Sequence, residues 1–145
     1  MIGTVQILFR LILAAVLGGM VGLERELHDK AAGFRTHILV CIGSCLMMLT
    51  SMHIFDIYKG IATPDPARIA AQVVTGVGFL CAGTIIRYGA TVKGLTTAAS
   101  IWAIAGVGLA VGSGFYFAAI VTSIIILLSL YTLSKVDATV SKKLH

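Results

Sequence analysis

Apolar residues along this chain come in five long runs, and the short stretches between them hold most of the charge. The runs cover residues 5–23, 36–55, 66–86, 95–111 and 115–133. Roughly 20 apolar residues at about 1.5 Å each cross the hydrocarbon core of a bilayer, so each run is predicted to be a transmembrane helix. The rival for the first run is a signal peptide, whose apolar part is shorter and ends in a small-residue cleavage site. Here the run leads straight into the charged Gly-Leu-Glu-Arg-Glu of residues 22–26, so it reads as an uncleaved helix. Asp65 before Pro66 is a helix start signal: the carboxylate caps free N–H groups and proline suits the first helical position. Gly112-Ser113-Gly114 leaves room only for a tight turn between antiparallel helices.

The size of the apolar residues adds a second pattern. In the third run Ala71, Thr75, Gly78 and Ala82 share one side at helical spacing, and Gln72, Gly76 and Gly83 share another. The fourth repeats this with Ala99, Ala103, Gly106 and Ala110, and again with Ala98, Ala105, Gly108 and Gly112. The first carries a ridge of Ala14, Gly18 and Gly22. Lipid tails are as apolar as leucine, so membrane helices associate where small residues let backbones approach. The third and fourth helices are therefore expected at the centre of the bundle. The small ridges of the first, third and fourth would form its core, with some ridge left for a second copy in a homodimer. The fifth helix has bulky aliphatics without a break from Ile124 to Leu128 and is expected to face lipid.

Composition supports the membrane reading. Of the 145 residues 58% are hydrophobic and 12% charged, and the mean hydropathy is +1.00. A soluble domain carries about twice that charge. The net charge of +5 lies in loops and tail, with no basic face interleaved with aromatics, which argues against nucleic acid. Five helices put the termini on opposite sides. Arg25, Lys30, Arg35, Arg87, Lys93, Lys135, Lys142 and Lys143 then share one side; the other has Lys59, with Arg10 and Arg68 near helix ends. Basic loops stay in the cytoplasm, so the N-terminus is expected outside and the C-terminus inside.

Candidate chemistry is sparse. There is no phosphate-cradling motif and no hydrolase motif, and Gly76-x-Gly78 lies inside a helix rather than between a strand and a helix. No acid is predicted at mid-membrane depth, which weakens an ion pathway, although hydroxyls and carbonyls also line such paths. A polar lining for a cation would come from Gln72, Thr75, Thr96, Thr97 and Ser100, with Asp56 and Asp65 at the outer mouth. His37, Cys41 and Cys45 lie on one stripe of the second helix with Met48 and Met52. These are soft-metal ligand types, but also ordinary packing residues. Arg10 either snorkels to the interface or forms a buried ion pair. Glu26 and Lys30 suit an i,i+4 pair. Glu24 is expected to pair with Arg35 or Arg87 where the helices enter the membrane.

These blocks resemble a known family. Gly-Leu-Glu-Arg-Glu, the segment 31–44 with Arg35-Thr36, the Arg68 to Arg87 block, and the segment from Val92 through Thr96 to Tyr116 are similar to the MgtC/SapB family of bacterial inner-membrane proteins. The resemblance covers almost the whole chain. It implies five membrane helices, often followed by a soluble cytoplasmic domain. The chain ends where that domain would begin and so is expected to be the membrane domain alone. The implied role is non-enzymatic: growth in low magnesium and survival inside host cells, exerted on other membrane proteins, the ATP synthase among them. The alternative is a carrier of magnesium or another cation. No cofactor is implied beyond magnesium itself. The resemblance marks Glu24, Arg25, Arg35, Thr36, Arg68, Gln72, Arg87 and Thr96 as motif positions. Thr96 and Ala103 stand where virulence-associated members have Asn and Cys, and Cys81 where Gly is usual.

Overall fold

The computed structural model describes residues 2–61 and 64–143, with side chains as far as Thr132. Its elements are helices α1 (Thr4–Leu27), α2 (Phe34–Tyr58), α3 (Ala67–Thr84), α4 (Leu95–Ser113) and α5 (Tyr116–Lys143), with strands β1 (Ile86–Tyr88) and β2 (Thr91–Lys93) between α3 and α4. The first four helices are long and apolar enough to cross a membrane; α5 is apolar over the stretch Tyr116–Thr132. The tail bases Lys135, Lys142 and Lys143 lie beyond the described side chains.

The helix ends follow their local chemistry. Asp65 Oδ1 accepts a hydrogen bond from the Ala67 amide at 2.8 Å and so caps α3. Gly114 closes α4 at φ +88°, a left-handed conformation that glycine adopts without cost. α5 then starts two residues later and turns back on α4. The β1–β2 hairpin was not expected. It pairs Ile86 with Lys93 and Tyr88 with Thr91 around Gly89, at φ +58°. It takes the end of the third apolar run, so α3 stops at Thr84.

The central helix is α2. On one side, a Cβ at Gly18 of α1 would lie 2.8 Å from the His37 carbonyl oxygen, and one at Gly22 would lie 2.8 Å from Phe34 Cα. On the other, Gly108 of α4 abuts the Cys41 carbonyl, and a Cβ at Gly112 would lie 2.6 Å from the Cys45 carbonyl. Each glycine pair is four residues apart, one helical turn, so each helix offers a continuous strip of bare backbone. Ala14, Leu17 and Val21, Cys41, Cys45 and Leu49, and Ile104, Val107 and Val111 fill the core around these contacts.

The small-residue rule placed α3 wrongly. Only Val77 of α3 is buried, and Cβ atoms added at Gly76, Gly78 or Gly83 would meet nothing. Gly106 of α4 is equally open. Small residues permit close approach, but the second helix takes the central place through Ser44, Cys41 and Cys45. These are compact enough for the glycine strips and are not glycines themselves.

Arg10 neither snorkels nor meets a carboxylate. It is buried, and donates from Nη1 to the Gly112 carbonyl at 2.7 Å and from Nε to the Tyr116 hydroxyl at 2.9 Å. Its guanidinium lies 5.7 Å from the Tyr116 ring centre. Gly112 is in the last turn of α4, where carbonyls lack helical partners and the helix dipole is negative. The C-terminus of α4 thus supplies the counter-charge.

Leucine at Gly18 or Gly108 is expected to destabilise the bundle by about 1–3 kcal/mol or more, as overpacking does. Gly76→Leu and Gly106→Leu should cost under about 0.5 kcal/mol, as substitutions into open space do. Thermal unfolding in detergent, followed by helical circular dichroism, checks the ranking.

Candidate functional site

Four of the eight motif residues, Glu24, Arg25, Arg35 and Thr36, gather at one end of the bundle, where α1 finishes and α2 begins. The last turns of α1 carry Glu24, Arg25 and Glu26 in sequence, and each carries out a different task. Arg25 is 3% exposed and donates to Glu24 from Nε at 2.5 Å and Nη2 at 2.7 Å, a two-pronged ion pair between neighbours. His28 adds a contact from Nδ1 to Glu24 Oε1 at 3.2 Å, and the same nitrogen lies 2.8 Å from the Glu24 carbonyl.

Glu26 reaches forward. Its carboxylate accepts from the Phe34 amide at 2.9 Å and so caps α2 with a negative charge at the positive end of that helix. A side chain at Gly33 would collide with this carboxylate. Glu26 therefore serves α2 instead of the expected partner Lys30. The helix start sits in the loop, and a carboxylate eight residues back reaches it only because α1 and α2 fold against each other.

One turn into α2 is His37, wholly buried. Its Nδ1 donates to the Gly33 carbonyl at 2.9 Å. Its Nε2 lies 3.0 Å from the Ser100 hydroxyl of α4, which is itself 2.9 Å from the Thr97 carbonyl. The imidazole ties α2 to α4 just beneath the Glu24–Arg25 pair. The sequence offers His37 as a metal candidate and Ser100 as a polar lining, and the two with Ser44 form no recognisable hydrolase motif; their 63-residue separation hides the pairing.

Several expectations change. Glu24 pairs with Arg25, not with Arg35 or Arg87. Arg35 is exposed, and Arg87 donates from Nε to the Gly89 carbonyl within its own hairpin at 2.9 Å. Thr36 is half-buried in the first turn of α2. The proposed cation lining is divided: Thr97 and Ser100 point into the core, whereas Gln72, Thr75 and Thr96 are exposed on the outside. Among the described residues no three His, Cys, Asp or Glu side chains converge on a metal position. Both His37 nitrogens are already engaged, and Cys41 and Cys45 are enclosed by the glycine strips. Arg68 and Gln72 stand together at the other end of the bundle, in an open crevice with Ser51 and Asp65.

A buried pair of this kind is more informative when broken than when present. Glu24→Gln leaves the Arg25 charge buried without its partner and is expected to cost about 3–5 kcal/mol. Replacing both, Glu24→Gln with Arg25→Met, should restore most of that, and Arg35→Gln should change little. Denaturation midpoints of the purified variants test the order.

A profile described as the MgtC family matches residues 11–139. The putative magnesium transporter YhiD of Escherichia coli is 47% identical over 132 residues, 88% of this chain and 60% of that protein. SapB of Bacillus subtilis is 43% identical over 128 residues, 86% of this chain and 55% of SapB. MgtC of Salmonella typhimurium is 43% identical over 121 residues, 83% of this chain and 49% of MgtC. The chain thus spans 49–60% of the length of these relatives. No solved structure matches it.

Proposed function

The chain belongs to the MgtC family, and from that premise we propose that it is a non-enzymatic protein of the bacterial inner membrane that acts by contact with other membrane proteins when magnesium is limiting or a host imposes stress. All five helices cross the bilayer in this reading, with the N-terminus outside and the C-terminus in the cytoplasm. The support for the orientation is the basic side of the chain, which holds the Glu24–Arg25 cluster and the Arg87 hairpin.

The observation that carries the proposal is the outer face of α3. The outward residues of α1, among them Leu8, Phe9, Ile12 and Val16, are bulky and suit lipid, as are Ile124, Ile125 and Leu128 of α5. The outward ridge of α3 is Ala71, Thr75, Gly78 and Ala82, all exposed. Among the described residues no helix of this chain covers it. Such a ridge gives lipid little to pack on and gives another helix close access to the backbone. The occupant is a helix of a partner membrane protein or of a second copy.

The second reading is a magnesium or other cation carrier, supported by the description of YhiD as a putative magnesium transporter. The separation of Thr97 and Ser100 from Gln72, Thr75 and Thr96 argues against a shared path, and Arg68 beside Asp65 repels a cation at the mouth.

Thr75→Leu and Gly78→Leu fill the ridge without touching the core. In a strain that depends on the protein for growth in low magnesium, both are expected to abolish growth at unchanged protein level, while the pure protein in liposomes passes no magnesium. Saturable magnesium flux lost in Gln72→Leu/Thr96→Val would overturn the contact reading in favour of the carrier. A reporter active only in the cytoplasm, fused after His145, should be active.

A further inference from the structure

The seam between α2 and α3 has two cavities, one above the other. The upper, of about 450 Å³, lies where α2 ends and α3 begins and is lined by Ser51, Asp65, Arg68, Ile69 and Gln72 among others. The lower, of about 350 Å³, is apolar and lined by Val40, Gly43, Met47, Val73, Gly76 and Leu80 among others. Their linings follow on at helical spacing: Ser51, Met47, Ser44 and Val40 down α2, and Ile69, Gln72, Gly76 and Leu80 down α3. The seam is therefore polar at its mouth and apolar below.

We propose that this seam binds one phospholipid, with the headgroup phosphate at Arg68 and Gln72 and an acyl chain in the groove beneath. The polar donors are unspent: the Arg68 amide bonds the Asp65 carbonyl, but the side chains of Arg68 and Gln72 make no hydrogen bond among the described residues. Arg68 lies in the first turn of α3, where the helix dipole also favours an anion. A guanidinium matches phosphate oxygens with two parallel N–H groups, and an amide N–H four residues on reaches the same site. Asp65 has one carboxylate oxygen engaged with the Ala67 amide; the other faces the ammonium of a zwitterionic headgroup.

The depth fits as well. From Gln72 to Leu80 is about 12 Å along the helix, most of the roughly 15 Å of one leaflet's hydrocarbon. Gly43 and Gly76 line this groove, and a Cβ at either meets nothing. Their missing side chains are the space that an acyl chain occupies. This gives a use to two glycines that helix packing within the chain leaves unexplained. Below its mouth the groove, lined on α3 by Val73, Gly76 and Leu80, is on a different flank from Thr75, Gly78 and Ala82. Ala71 belongs both to the cavity at the mouth and to the ridge, so the acyl chain and a partner helix adjoin only at the top of α3.

Native mass spectrometry of the purified chain, from detergent doped with palmitoyl-oleoyl phosphatidylethanolamine, tests the proposal. One lipid per chain is expected to survive the activation that strips detergent. Two further arms use inorganic phosphate and the diacylglycerol with the same chains at equal concentration, and neither should bind comparably. Arg68→Gln/Gln72→Leu should lower lipid occupancy about tenfold or more, the scale of a lost charge-assisted hydrogen bond. Gly76→Leu, which fills the groove from open space, should do the same, whereas Gly106→Leu should not. Equal occupancy in all variants would overturn the site. Binding of free phosphate or of diacylglycerol as tight as the phospholipid would overturn the assignment of its occupant.

Discussion

Everything in this fold depends on how closely two helices can approach a third. α2 runs between a glycine strip on α1, Gly18 and Gly22, and another on α4, Gly108 and Gly112, with backbone against backbone on both sides. In lipid there is no general hydrophobic drive to bring helices together, so packing of this kind must supply the attraction. It also fixes the rest. With α2 held at Cys41 and Cys45, His37 lands opposite Ser100, and the loop at residues 28–33 must be tight enough for Glu26 to reach the Phe34 amide. At the far end the same approach sets Arg10 against the last turn of α4. The polar contacts stand at the two ends of a clamp whose middle is glycine, alanine and cysteine.

The two buried arginines among the described residues, Arg10 and Arg25, are held without long-range ion pairs. Arg25 is neutralised by its sequence neighbour, and Arg10 by the end of a helix and a tyrosine. Both arrangements keep the counter-charge close by and leave little of the desolvation penalty uncompensated. What remains unused is on α3. That helix is attached to the clamp through Val77, with Val73 and Cys81 beside it, and it carries an open small-residue ridge on one flank and a polar-topped groove on another. A helix packed in this way is suited to face something other than its own chain. This is why the functional proposals meet there and the polar cluster at the start of α2 reads mainly as architecture.

Much of this was legible in the residues. The five apolar runs are the five helices, the Asp65 cap is where the dipeptide put it, and the ridge of Ala14, Gly18 and Gly22 does pack. Family membership was visible in the blocks around Glu24, Arg68 and Thr96. The assignment of partners was not. A small-residue ridge shows that a helix is approached, but not by which neighbour, so α3 and α2 were exchanged. The Glu24–Arg25 pair was passed over because adjacent helical residues point about 100° apart, and only long side chains at a helix end curl back to meet. The three-residue strands were hidden because Ile85 and Ile86 extend an apolar run that otherwise reads as helix. The lipid seam depends on two helices meeting at a particular angle, and no spacing within one of them shows it.

The arrangement of α1, α2 and α3 can be tested by one disulfide measurement in native membranes. In a chain whose only cysteines are Cys41 and one introduced residue, Gly18→Cys places two Cβ atoms in contact across α1 and α2. A shift of under about 1 Å brings them into disulfide range. Mild oxidation should then protect both thiols from alkylation within a monomer, and Gly76→Cys should leave Cys41 free to react. A disulfide from Gly76→Cys to Cys41, with none from Gly18→Cys, would place α3 where α1 stands and contradict the clamp.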